Sequence, residues 1–331
     1  MYDIVVLGAG VVGLSTAVNL QTHFPDREVT IIADKFNTET TSDGAAGIFS
    51  PSDTSVAVSL SQYKKWLIDS YSWFHDLYAT EDPAVTGIQR ISGYQFTSSP
   101  KKFPIFHDVC YHFRHLTEKE LQSFPGNQKF GWMFTTLMIE CRKYLLWLTK
   151  KFTSNGGKVI KKTVKDISEF SDKCTVLINC CGLRAGQLFN DKDVFPLRGH
   201  TIRVKAPWIK HFVVDEETTT YIYPGQDYVV LGGTRQKNEY DVTPSEYWTN
   251  DIIGRCETLS PGIKNAEVVA EWVGLRPCRT KIKVKMECLK NLKIVHNYGH
   301  GANGIALSWG TAIEATNMVK DVLSSSTQSK L

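Results

Sequence analysis

Residues 228–237 read YVVLGGTRQK, a hydrophobic run that stops at Gly232-Gly233 and sets Arg235 just beyond. Val229–Leu231 reads as a buried strand. The double glycine lets the backbone turn or lets something crowd it. Arg235 is then either a solvated loop charge or a partner for a carboxylate, whose geometry matches the planar guanidinium fork. A second chemical candidate opens the chain. Gly8-Ala9-Gly10-Val11-Val12-Gly13 is G-x-G-x-x-G, placed after the apolar run Tyr2–Leu7 and at the start of a helical pattern over Val11–Leu20. In that context Gly8 makes the tight turn, Gly10 lets the backbone approach a pyrophosphate, and Gly13 lets helix and strand pack closely. The helix N-terminus offers unpaired N–H groups and positive potential to phosphates. Asp34 ends a second strand, Glu28–Ala33, about 20 residues further on, where an acidic residue accepts from an adenosine ribose. The bland alternative is that these glycines serve helix–strand packing alone.

The loop after Asp34 argues for a long cofactor. TETTSDGAAGIF (38–49) is rich in small and hydroxyl residues, which suits a segment wrapped along a dinucleotide, with Thr41 and Ser42 able to bond phosphate oxygens. A surface turn loop is the competing reading. Near the other end, IVHNYGHGANGIALSWGTA (294–312) runs from a strand through Gly299, Gly301 and Gly304 into a helix. This is a second glycine-rich helix N-terminus, able to meet a polar ring edge or the pyrophosphate. His296 and His300 are four apart, but the intervening glycine and turn favour core histidines over a metal pair.

Those candidates need elements to hold them. The pattern predicts an opening βαβ unit, a helix over 55–79, short strands and turns over 87–125, and a helix over 136–153 stopped by Gly156-Gly157. Strands follow at 158–162 and 175–180 and dominate 198–233. A helix is predicted over 245–257, strands over 267–275, 282–288 and 293–298, and a last helix over 303–323. Lys281, Lys283 and Lys285 alternate with apolar residues, which reads as a solvated face or guarded edge.

With 331 residues and 42% hydrophobic content, the chain can bury a large core in one big domain or two. A net charge of +4 gives no nucleic-acid indication. No apolar run is long enough to span a bilayer, and no basic leader precedes the first strand. Eight cysteines without a C-x-x-C or zinc spacing suggest free thiols in a reducing compartment. Ser329-Lys330-Leu331 is an S-K-L tripeptide, a receptor-read peroxisomal address. The polar SSSTQ before it suits a flexible tail over 326–331.

LGAGVVGLSTA (7–17), DKF (34–36), TTSDGAAG (40–47), NCCGL (179–183), PLRG (196–199), YIYPG (221–225), GLRPCR (274–279) and HNYGHGANG (296–304), with Gly310 and Ala312, occur in this order. Together they resemble the D-amino-acid oxidase family over essentially the whole chain. The resemblance implies an α/β fold: a Rossmann-like FAD domain of the glutathione-reductase type, from 1–50, 140–195 and 280–325. It is interleaved with a substrate domain, from 51–139 and 196–279, on a large, mostly antiparallel sheet. It implies non-covalent FAD held by Gly8, Gly10, Gly13, Asp34, Lys35, Thr41, Ser42, Gly47, Ile48, Val164, Gly301, Gly304 and Ile305. It also implies hydride transfer from the substrate α-carbon to flavin N5, with molecular oxygen as final acceptor.

By the same resemblance Arg276 grips the substrate α-carboxylate and Tyr221 hydrogen-bonds it. Tyr223, two along the same strand, faces the same way, as contact or as packing. The GGTRQ stretch resembles the acidic-substrate branch, so Arg235 and Arg276 would clamp a dicarboxylate: D-aspartate, N-methyl-D-aspartate or D-glutamate. Two positions depart from that branch. Val214 stands where some members carry another arginine, and Ala302 stands in place of a serine beside the flavin. Both leave room for a D-amino-acid oxidase of neutral or basic substrates. A nucleotide-binding protein without oxidase activity and a nicotinamide dehydrogenase are further alternatives, the latter calling for a plain Rossmann domain. The expected partners are a small acidic D-amino acid, oxygen and a peroxisomal import receptor in the peroxisome matrix, with no nucleic acid, membrane or metal; a homo-oligomer is neither required nor excluded.

Overall fold

The computed structural model describes residues 2–52 and 58–328; the Ser329-Lys330-Leu331 address and the first residues of the helix expected over 55–79 lie outside the described residues. The strand Tyr2–Ala9 is apolar on both faces, and Ile4, Val5, Val6 and Leu7 are all buried. Such a run suits a parallel strand covered on both sides. It pairs in parallel with Val29–Phe36 on one side and Cys174–Asn179 on the other. Lys158–Lys161 and Leu292–His300 extend this parallel set outward. The helix Val11–His23 packs against Cys141–Ser154 and Gly304–Gln328, and the last of these also packs on Leu60–Thr80.

The other half is mostly antiparallel. Phe195–Lys205, Val229–Gly232, Thr220–Pro224 and Phe212–Asp215 follow one another in antiparallel order. Phe212–Asp215 then pairs in parallel with Ile88–Thr97, which continues to Phe130–Ile139 and Tyr111–His115. The two halves are one continuous, fourteen-stranded sheet. Their junction is the 23-residue strand Glu267–Leu289. Its residues 267–278 pair with Phe195–Lys205, and its residues 278–289 pair with Leu292–His300.

Three elements differ from the sequence expectation. The strands predicted over 267–275 and 282–288 are this single strand. Pro277 sits where pairing with Phe195–Lys205 is ending, so its missing N–H is tolerated. The helix predicted from 136 starts at Cys141, because 136–139 belongs to the strand Phe130–Ile139. Residues 134–139 are all buried, and a short buried run without polar alternation does not distinguish strand from helix. The segment 87–125 contains a regular ten-residue strand, Ile88–Thr97.

Candidate active site

A cavity of about 1230 Å³ runs through the junction of the two halves. Every residue named above for cofactor or substrate lines it, from Gly8 and Val164 at one end to Tyr223 and Arg235 at the other. At the first end the glycines are sterically required. Gly8 has φ +103°, and a Cβ there would lie 2.4 Å from the Cys180 carbonyl oxygen. A Cβ on Gly13 would lie 2.0 Å from the Gly8 carbonyl oxygen. The helix that follows has no acidic residue in its first turn and no side-chain cap from Gly10, so its positive end is not neutralised locally. The Val11 N–H donates to Ser42 Oγ at 3.0 Å, which ties the loop 38–49 to the helix start. Thr41 Oγ1 instead donates to the Leu275 carbonyl at 3.2 Å, beside Arg276.

Asp34 does not stand alone. Arg184 donates to its Oδ2 at 3.4 Å and to the Val164 carbonyl at 2.6 Å. Arg184 thereby joins two residues expected at the adenosine end, a role sequence reasoning missed; the only hint was its place directly after NCCGL. The two histidines of the glycine-rich segment are inward and neutral. His300 is bonded to Thr311 Oγ1 at 3.1 Å, and burial pulls its pKa down to about 4. His296 meets Asn179 and Glu287, and burial again favours its neutral form.

At the substrate end the glycines make room for side chains. A Cβ on Gly232 would lie 2.0 Å from the Tyr221 ring, and one on Gly233 would lie 2.7 Å from its hydroxyl. The double glycine before Arg235 thus accommodates Tyr221 rather than a ligand or the flavin. Gly199 does the same for Arg276, whose Nη2 would be 2.3 Å from an added Cβ. The Arg276 guanidinium is held in place by donating to the Thr234 carbonyl at 3.0 Å and more weakly to that of Arg198 at 3.5 Å. Burial pulls its pKa down, Tyr221 opposes this, and Arg235 adds a like charge; starting so high, it stays a cation. Burial pushes the Tyr221 phenol up, with Arg276 and Arg235 pulling the other way. Tyr221 and Tyr223 stack at 4.5 Å, and burial raises Tyr223 too.

Arg235 lines the cavity but is exposed. The buried charge expected from YVVLGGTRQK is therefore a rim charge, because the strand ends at Gly232 and the chain leaves the sheet. Among the described residues neither Arg235 nor Arg276 has a carboxylate partner. Val214 faces the cavity directly opposite Tyr221 across the strand pair, and Ala302 is exposed on the cavity wall.

The chain belongs to the FAD dependent oxidoreductase family (DAO), whose profile matches residues 3–318. Among curated relatives it is 40% identical to the D-aspartate oxidase of Homo sapiens, over 96% of this chain and 94% of that protein. It is 35% identical to a D-amino acid oxidase of Dugesia ryukyuensis, over 97% of this chain and 98% of that protein. The fold is shared with the glycine oxidase of Bacillus cereus, with a TM-score of 0.80 at 20% identity, over 97% of this chain and 95% of that one. The cavity's volume, the glycines that admit no Cβ and the un-neutralised helix end all fit the FAD of this family.

Proposed function

We propose that the chain catalyses FAD-dependent oxidative deamination of acidic D-amino acids to a 2-oxo acid, ammonia and hydrogen peroxide. D-Aspartate is the first candidate, with N-methyl-D-aspartate or D-glutamate beside it. The observation that carries this reading is the pair of guanidiniums, Arg276 and Arg235, in one cavity without a carboxylate partner among the described residues. Two cations that share one cavity repel each other and need anions, and a dicarboxylate supplies one for each.

FAD would lie non-covalently along Gly8–Gly13, Asp34 and Lys35, the loop Thr41–Ile48, Val164, and Gly301–Ile305, with 1–50, 140–195 and 280–325 as the cofactor-binding part. The change of pairing partner at Cys278 supports that division. Bound FAD supplies the two-electron acceptor and passes those electrons to oxygen. The chain's own residues bind and orient. Arg276, fixed by two backbone carbonyls, presents its remaining donors to the α-carboxylate. Tyr221 stays protonated because burial raises its pKa, so it donates to the same carboxylate. Arg235 at the rim receives the side-chain carboxylate. Val214 and Tyr223 keep the wall between them largely apolar.

A panel of D-amino acids, with peroxide release as readout, tests the reading; a higher kcat/KM for D-alanine than for D-aspartate overturns it. Such a result would support the second reading, an oxidase of neutral D-amino acids, which Val214 favours by placing no charge opposite Tyr221. Arg235→Leu is expected to raise KM for D-aspartate by about 10-fold and to change D-alanine much less. Its exposure discounts the larger loss of a buried ion pair. Equal effects on both substrates would return Arg235 to a surface role.

Among the described residues no helix is long and apolar enough to cross a membrane. We infer residence in the peroxisome matrix through recognition of Ser329-Lys330-Leu331 by an import receptor. Deleting the three residues is expected to leave turnover intact and the protein in the cytosol, as seen by imaging a fusion that keeps this end free. Import of the deleted form would assign targeting elsewhere.

A further inference from the structure

One row of residues crosses the sheet beneath the substrate end of the cavity. Direct strand partners share a face, and here the partners run Trp132, Gln95, Val214, Tyr221, Gly232, Thr201 and Trp272. All but Gly232 line the cavity. Gln95 is only 8% exposed, yet its side-chain amide makes no hydrogen bond among the described residues. Its neighbour Trp132 is 3% exposed, and its indole Nε1 is buried without a partner. Polar groups of buried side chains are nearly always satisfied, so the unpartnered Gln95 amide on the cavity wall calls for a ligand atom there, while the Trp132 Nε1 beside it is closed off from the cavity.

Their position says which atom. Gln95 stands two strands from Tyr221, roughly 10 Å at ordinary strand spacing. A short diacid with a hydrogen bond at each end covers that span. Val214, which offers no polar group, lies between them. Lys101, on the same wall, is engaged by Glu216 at 3.0 Å and Glu217 at 3.6 Å.

We propose that the Gln95 amide forms a neutral subsite for the distal carboxylate oxygen of the substrate, with Arg235 supplying charge from the rim. The inference rests on the dicarboxylate reading above. The Gln95 Nε2 donates to one lone pair of that oxygen and leaves the other for Arg235. Gln95 is thus a specificity-determining residue, missed in the sequence because glutamine within a strand pattern looks like a solvent-facing position.

The test uses the FAD-loaded protein. Malonate, a dicarboxylate without an amino group to oxidise, is titrated against the flavin absorption bands. Alongside, kcat/KM is measured for D-aspartate and D-alanine. Gln95→Leu is expected to weaken malonate by about 10-fold or more and to lower the D-aspartate to D-alanine ratio similarly, as for a lost hydrogen bond to a charged group. Gln95→Glu, of equal size but anionic, weakens malonate further still. Gln95→Met provides a second apolar variant should Gln95→Leu fail to hold FAD. The proposal falls if the apolar variants leave malonate within about 2-fold of the wild type. It falls equally if they depress D-aspartate and D-alanine alike, or if Lys102→Ala, at a further cation lining the cavity, alone removes the preference. A wild type that ignores both D-aspartate and malonate removes the dicarboxylate reading as well; one that binds both while Gln95→Leu changes nothing removes only the subsite.

Discussion

Arg276→Leu is expected to lower kcat/KM for every D-amino acid the protein oxidises, by about 10²- to 10³-fold. The α-carboxylate is common to all of them, so the loss should be nearly independent of side chain, unlike the loss from Arg235→Leu. Two features make the effect large. The guanidinium is withdrawn from solvent, so no water substitutes well for it. It is also pre-positioned by the Thr234 and Arg198 carbonyls over Gly199, so binding orders little that is not already ordered. Arg276→Lys keeps the charge but not the fork, and it should recover only part of the loss. The fold should survive, because leucine removes a partly buried cation that has no carboxylate partner among the described residues. Steady-state kinetics with an unchanged flavin spectrum would establish the role; comparable loss of bound FAD and activity would make Arg276 structural.

Gly13→Ala is expected to weaken FAD by about 100-fold or prevent its retention. The added methyl would meet the Gly8 carbonyl at 2.0 Å, which is backbone and cannot rotate away. Helix Val11–His23 would have to lift from the strand, carrying the N–H groups away from the phosphates. Gly10→Ala is the informative contrast. Its Cβ would lie 3.1 Å from Ser42 Oγ, a side-chain atom that can move. The empty fold should therefore tolerate Gly10→Ala, and its defect should appear in FAD affinity with little change in apoprotein melting temperature. Fluorescence titration of both apoproteins with FAD separates the two. Wild-type affinity in Gly13→Ala would show that helix and strand are not held at this separation.

The cofactor end was legible because its chemistry is local. A turn, a close approach and a helix N-terminus occupy six consecutive residues, Gly8 to Gly13, and Asp34, the residue proposed to meet the ribose, follows one strand later. The substrate end was legible only in part. Arg276 and Tyr221 were reached through resemblance, while the crowding at Gly232-Gly233 was expected without its source, because clearance for a ring on the neighbouring strand is a property of register. The same holds for Gln95 and Trp132, which face each other from strands about 40 residues apart in the chain, and register emerges only when strands pair. Arg184 escaped for a related reason: its partners Asp34 and Val164 come from separate segments. Arg235 shows the opposite error, since its neighbours in sequence are buried and it is not.

The strand Glu267–Leu289 carries a consequence for how this enzyme can evolve. Arg276 lies two residues before the point where the strand exchanges one neighbour for the other. Side chains alternate along it with a period of two. Inserting or deleting one residue upstream of Cys278 would turn Arg276 to the opposite face or drag the Gly299–Gly301 wall out of place. Loops at the rim can lengthen or shorten freely, and with them the side chains a substrate meets there. The spacing between carboxylate grip and flavin cannot drift by a residue without losing one of them, so new specificities should arise by substitution within the row from Trp132 to Trp272 and by change at the rim.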